Sequence, residues 1–127
     1  MIAAAVEGAT VQRDEMRAYC LAKPGAWVDQ PWDDHEVVKV GGRIFAFLGN
    51  PGSATVGVKC GANREIADEW LHRYPGDASV MAYLGRSGWN TLRLTGAVPA
   101  DELYEAVDAS YETVVRKLPK RDRPAGI

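Results

Sequence analysis

Cysteine is scarce in this chain: Cys20 and Cys60 are the only two in 127 residues, and they stand far apart. Structural zinc sites and redox motifs need closely spaced pairs, so neither chemistry is read from them, and both are expected to be reduced, buried residues of a cytosolic protein. Long apolar runs are missing as well. No stretch approaches the uninterrupted length of a membrane span, and the segment Met1–Gln12 contains Glu7 and has no positive leader, so it does not resemble a secretory signal. The expected location is the cytoplasm, with no membrane partner. A strong excess of charge is the third absence. The formal net charge is -2, which gives no global attraction to nucleic acid or to an anionic membrane, so any such binding must come from a local basic patch.

What is there reads as a folding chain. Hydrophobic residues make up 46% and charged residues 25%, ordinary values for a globular protein. The length suits a single domain over residues 1–127, with a core over about 10–119 and a loose basic tail over 120–127. A monomer is expected.

Periodicity then divides the chain. Met16, Tyr19 and Cys20 share one face of a helix expected over Thr10–Ala22, stopped by Pro24-Gly25. From Gly25 to Cys60 the pattern changes to short β-branched and aromatic runs. Glu36–Val40 and Arg43–Leu48 flank Gly41-Gly42, the length and composition of a tight hairpin. Thr55–Cys60 alternates, with Val56, Val58 and Cys60 inward and Lys59 outward. Asn63 is a suitable N-cap for a second helix carrying Ile66, Ala67, Trp70, Leu71 and Tyr74 on its inner side. Val80–Leu84 and Trp89–Leu94, on either side of Gly85-Arg86-Ser87-Gly88, predict a second hairpin. The last helix starts near Pro99, points Leu103, Val107, Tyr111, Val114 and Leu118 inward, and ends at Arg116 and Lys117. This order predicts an α+β domain, a twisted antiparallel sheet of about six strands flanked by N-terminal, middle and C-terminal helices.

Several motifs together resemble the MmcQ/YjbR family of small bacterial proteins. They are Arg17-x-Tyr19-Cys20-Leu21 ending in Lys23-Pro24-Gly25-Ala26, Pro31-Trp32 before an acidic loop, and Val38-Lys39-Val40-Gly41-Gly42-Arg43-Ile44-Phe45-Ala46. Val58-Lys59-Cys60, Trp89 at a strand start, and Ser110-Tyr111 leading to Lys117-Leu118-Pro119-Lys120 complete the set. The resemblance covers Arg17 to Lys120. It implies a frataxin-like fold whose two hairpin wings contact duplex DNA. The residues that would do so are Lys39, Arg43, Lys59, Arg86 and Arg93, whose charges can neutralise phosphates, with Trp89 to stack on a base. Lys39 and Lys59 are expected to form a cationic strip on the outer sheet face.

The competing reading is a protein- or small-ligand-binding adaptor that uses an aromatic surface around Trp27, Pro31, Trp32 and Trp89. Catalysis has little support, and no enzyme, metal or cofactor is expected. Cys20 and Cys60 fall on core faces, His35 and His72 lie apart, and Ser110 sits inside a helix, where it is expected to bond back to its own backbone. Asp33-Asp34-His35-Glu36 lacks the glycine and the distant glutamate of a calcium loop. Gly49-Asn50-Pro51-Gly52 is a turn, too short to cradle a phosphate.

Overall fold

The glycine pair between two β-branched runs closes as its composition requires. In a computed structural model describing residues 11–125, β2 (His35–Val40) and β3 (Arg43–Gly49) meet with Val40 opposite Arg43, and Gly41 takes φ 59°, a conformation costly for any side chain but glycine's. β1 (Ala26–Trp32) pairs with β2 on the outer side. β4 (Thr55–Lys59), β6 (Trp89–Arg93) and β5 (Ala78–Val80) complete a sheet in the order β1-β2-β3-β4-β6-β5, every pairing antiparallel.

Among the described residues three α-helices join the strands: α1 (Arg13–Leu21), α2 (Arg64–Arg73) and α3 (Ala100–Lys117). The α+β architecture is thus the one the periodicity predicts; the expected helix start at Thr10 lies outside the described residues. Asn63 caps α2 by accepting from the Ile66 amide at 3.0 Å. Asp101 and Glu102 at the start of α3, with Arg116 and Lys117 at its end, match the helix dipole.

The helices lie against one face of the sheet. Val38, Val40, Ala46, Leu48, Val56, Val58, Leu92 and Leu94 meet Met16 and Cys20 of α1 and Leu103, Val107, Tyr111 and Val114 of α3 in one core. The pairs Val38 with Ala46 and Lys39 with Ile44 leave Phe45 as an extra residue in β3, a bulge that turns its ring inward onto Tyr111, edge-to-face at 5.1 Å. Ser110, fully buried on α3, serves this irregularity. Its hydroxyl donates to the Phe45 carbonyl at 2.7 Å and accepts from the Lys59 amide at 3.0 Å. It bonds across to two strands rather than back to its own helix, because both backbone groups would otherwise be buried without partners.

Other expectations are corrected. The strand expected over Val80–Leu84 is Ala78–Val80, and the chain then leaves the sheet through a long connection ending in a 3-10 turn at Gly85–Ser87. Ile66, expected inward on α2, is 51% exposed, and only Ala67 of that helix is fully covered, since α2 lies over the short edge made by β5 and β6. The residues after Leu118 are held as well. Lys120–Asp122 forms a 3-10 turn, and Arg123 donates to the Leu118 and Arg116 carbonyls at 3.1 and 2.8 Å, closing the end of α3.

Candidate functional site

The six residues singled out for DNA contact separate into buried Trp89 and Lys59, carboxylate-paired Lys39 and Arg93, and exposed Arg43 and Arg86. Trp89 is buried at 9% exposure, edge-to-face on Phe47 at 5.5 Å, and has no free ring face for a base. Lys39 is bound to Asp29 at 2.8 Å and lies over the Trp27 ring at 5.3 Å, while Arg93 faces Asp77 at 3.6 Å. Arg43 and Arg86 are exposed. Lys59 is buried rather than outward, its ammonium donating to the Ser87 carbonyl. The expected strip of Lys39 and Lys59 does not form, because β3 runs between their strands.

Antiparallel pairing decides which cations meet. The Gly41-Gly42 turn, the end of β4 and the start of β6 all lie at one end of the sheet, since Val40 faces Arg43 and Lys59 faces Trp89. The end of α3 arrives there too: Leu118 Cδ1 lies 3.1 Å from where a Gly41 Cβ would sit. Lys59, Cys60, Gly61 and Ala62 line a cleft of about 340 Å³ with Ala109, Thr113, Arg116 and Lys117. Burial, reinforced by the nearby Lys117 charge, lowers the Lys59 pKa.

Of the 15 lysines and arginines, eight have a carboxylate within 4.0 Å among the described residues. The rest are Arg43, Lys59, Arg86, Arg116, Lys117, Lys120 and Arg123, and all of them belong to this end. Arg116 and Lys117 complete the group; the sequence allows them to track a nucleic-acid backbone but favours helix capping and a solvated end. No local spacing could have joined them to Lys59, which lies far back in the chain.

At the opposite end of the sheet stands the carboxylate of Glu36. Glu36 accepts from Arg13 at 3.0 Å and from Arg17 at 3.1 Å, tying α1 to β2, and the arginines hold its carboxyl below the usual range, Arg17 first. No group of three His, Cys, Asp or Glu side chains suited to a metal occurs among the described residues. Both thiols are free, and burial pushes Cys20 up to about 12 and Cys60 up to about 11, far from a reactive thiolate. Among the described residues no helix is long and apolar enough to cross a membrane. Trp27 and Trp32 are exposed at 44% and 55% but sit at opposite ends of β1, so the expected aromatic surface does not assemble with Trp89.

Known proteins resemble this chain in sequence and in fold. The chain is similar to the protein named "Uncharacterized protein YjbR" of Escherichia coli strain K12, 32% identical over 111 residues that cover 86% of this chain and 92% of that one. The protein of the same name in Escherichia coli O157:H7 matches equally. Among solved structures, Deinococcus radiodurans protein DR2400 superposes with a TM-score of 0.75 at 27% identity, covering 91% of this chain and 86% of that one. The model of the YjbR family matches residues 21–113, from the last residue of α1 well into α3. With that match and those relatives, the chain belongs to the YjbR family.

Proposed function

We propose that this protein binds duplex DNA through the basic end of its sheet, using the two hairpin connections together with the end of α3. The observation that carries the reading is the segregation of charge: every lysine or arginine without a carboxylate partner among the described residues lies at that end, in a protein whose net charge is -2. Cations already neutralised by carboxylates release few counterions from DNA, whereas unpaired ones can replace those counterions on phosphates. Arg43 on the first hairpin, Arg86 on the second, and Arg116, Lys117 and Lys120 are the contact residues of this reading. Lys59 acts differently. Its bond to the Ser87 carbonyl fixes the second connection against β4, so it positions Arg86 instead of reaching a phosphate.

The test is fluorescence anisotropy of a labelled duplex across a salt series. Changing Arg116 and Lys117 together to alanine is expected to weaken binding about tenfold or more and to lower the salt slope by about 2. Changing Lys39 and Arg93 together, both already paired, should leave the affinity within about threefold of the parent. Absence of binding at low salt, or binding indifferent to salt, overturns the proposal.

A further inference from the structure

The face of the sheet turned away from the helices carries a second concavity. Register aligns Asp29, Val37, Phe47, Gly57, Thr91 and Ser79 in one row across all six strands. Gly57 stands in the middle of the row, between the Phe47 ring and Thr91, and leaves a depression. Met81 enters it from the connection after β5, its Cε 2.9 Å from where a Gly57 Cβ would sit. Ala82, Tyr83 and Leu84 continue along one rim, while Trp32 and His35 close the other. The resulting groove measures about 780 Å³, within the range of about 300–1,000 Å³ typical of small-molecule sites.

We infer that this groove is a binding site for an uncharged, mainly apolar small molecule carrying one hydrogen-bonding group. Charge decides the first part. Among the described residues the wall's only carboxylate is Glu36, whose charge is already taken up by Arg13 and Arg17; the other ionisable side chains of the wall are His35 and Tyr83, both on the rim. The lining is otherwise Trp32, Val37, Phe47, Met81 and Leu84 with small residues, and burying a charged ligand there without a partner would be costly. Among the polar groups, Thr55 is engaged with Ser53 at 3.0 Å, while the Thr91 hydroxyl has no hydrogen bond among the described residues. It is the one side-chain hydroxyl on the floor left to receive a ligand's polar atom.

Size decides against a protein partner. The groove wall falls far short of the roughly 800 Å² that each side of a stable protein interface buries. Exposure of the rim supports occupation: Tyr83 is fully exposed and Trp32 more than half exposed, so a ligand seated between the rims removes apolar surface that the fold leaves in water. Tyr83 also holds φ 66°, the left-handed region, which directs the connection along the rim.

The experiment titrates the full chain with two fluorescent probes that share a ring system and differ in charge, N-phenyl-1-naphthylamine and 8-anilinonaphthalene-1-sulfonate. The neutral probe is expected to saturate a single site, and the sulfonate to bind about tenfold more weakly or not at all. Thr91→Phe fills the floor with a side chain suited to a strand and should cut the neutral probe's affinity about tenfold. Trp32→Ala and Tyr83→Ala change exposed rim residues without touching the core, and each should weaken the neutral probe about threefold, so the result does not depend on the folding of the Thr91 variant. Arg116→Ala with Lys117→Ala, which tests the DNA proposal, should leave the neutral probe unaffected. Non-saturable binding, affinity unchanged in all three groove variants, or equal binding of both probes would overturn the assignment. A shift to a dimer by sedimentation that buries Trp32 would overturn it as well, giving the face to a second copy.

Discussion

On the helix-covered face, Val38, Ala46, Val58 and Asn90 are wholly inaccessible; one residue along the same strands, Val37, Phe47, Gly57 and Thr91 make the floor of an open groove. Both rows come from one alternation, and what differs is the cover. The helices α1, α2 and α3 close the first face, and α3 alone contributes Leu103, Val107, Tyr111 and Val114. Even a polar residue is accommodated there, because Asn90 receives Arg64 at 2.5 Å and donates to the Ala67 carbonyl at 2.9 Å. Among the described residues the second face has only Met81–Leu84 of the connection after β5 beside it. A sheet face without a helix keeps room for a ligand, and the stability of the domain is concentrated on the other side.

The largest expected effect sets the two faces directly against each other. Phe45→Ala removes a fully buried ring from the helix side and should cost about 4 kcal/mol in urea unfolding, whereas Phe47→Ala, half-buried beside the groove, should cost about half as much. Equal costs would mean that the groove face is packed as tightly as the core. A smaller effect belongs to Glu36, where α1 is tied to the sheet. Glu36→Gln should destabilise the protein by about 1 kcal/mol at neutral pH. The carboxyl's folded pKa is lowered from its ordinary value of 4.5, so its contribution is present above that value and is lost as pH falls through the lower folded one. The gap between parent and variant should therefore close in melts at progressively more acid pH, and a gap independent of pH would show that the charge does not hold α1. The smallest effect is expected for Arg93→Ala, whose ion pair with Asp77 is mostly in water and contributes no more than about 0.5 kcal/mol.

Much of this molecule follows from local chemistry. Gly41-Gly42 between β-branched runs dictated the first hairpin, Asn63 the start of α2, and the spacing of Leu103, Val107, Tyr111 and Val114 the buried stripe of α3. Each of these depends on neighbours a few residues apart, which is the range over which turn geometry and helical periodicity act. The motifs read as a YjbR resemblance belong to the same legible layer, and the family match agrees with them.

Burial and partnership were decided only in three dimensions. Lys59 stands in an alternating run that points it outward, yet the connection before β6 folds over it and supplies the Ser87 carbonyl. Trp89 looks like a free stacking residue until Phe47, from a strand much earlier in the chain, meets its ring. Lys39 and Arg93 are neutralised by Asp29 and Asp77, while Arg116 and Lys117, seemingly ordinary helix-end charges, have no carboxylate partner among the described residues and stand beside Lys59. The groove required Gly57 and Met81 to meet, and the Phe45 bulge required a serine from α3. Local propensity is set by the nearest residues, but the local field and solvent access of a side chain are set by whichever segments the topology brings beside it.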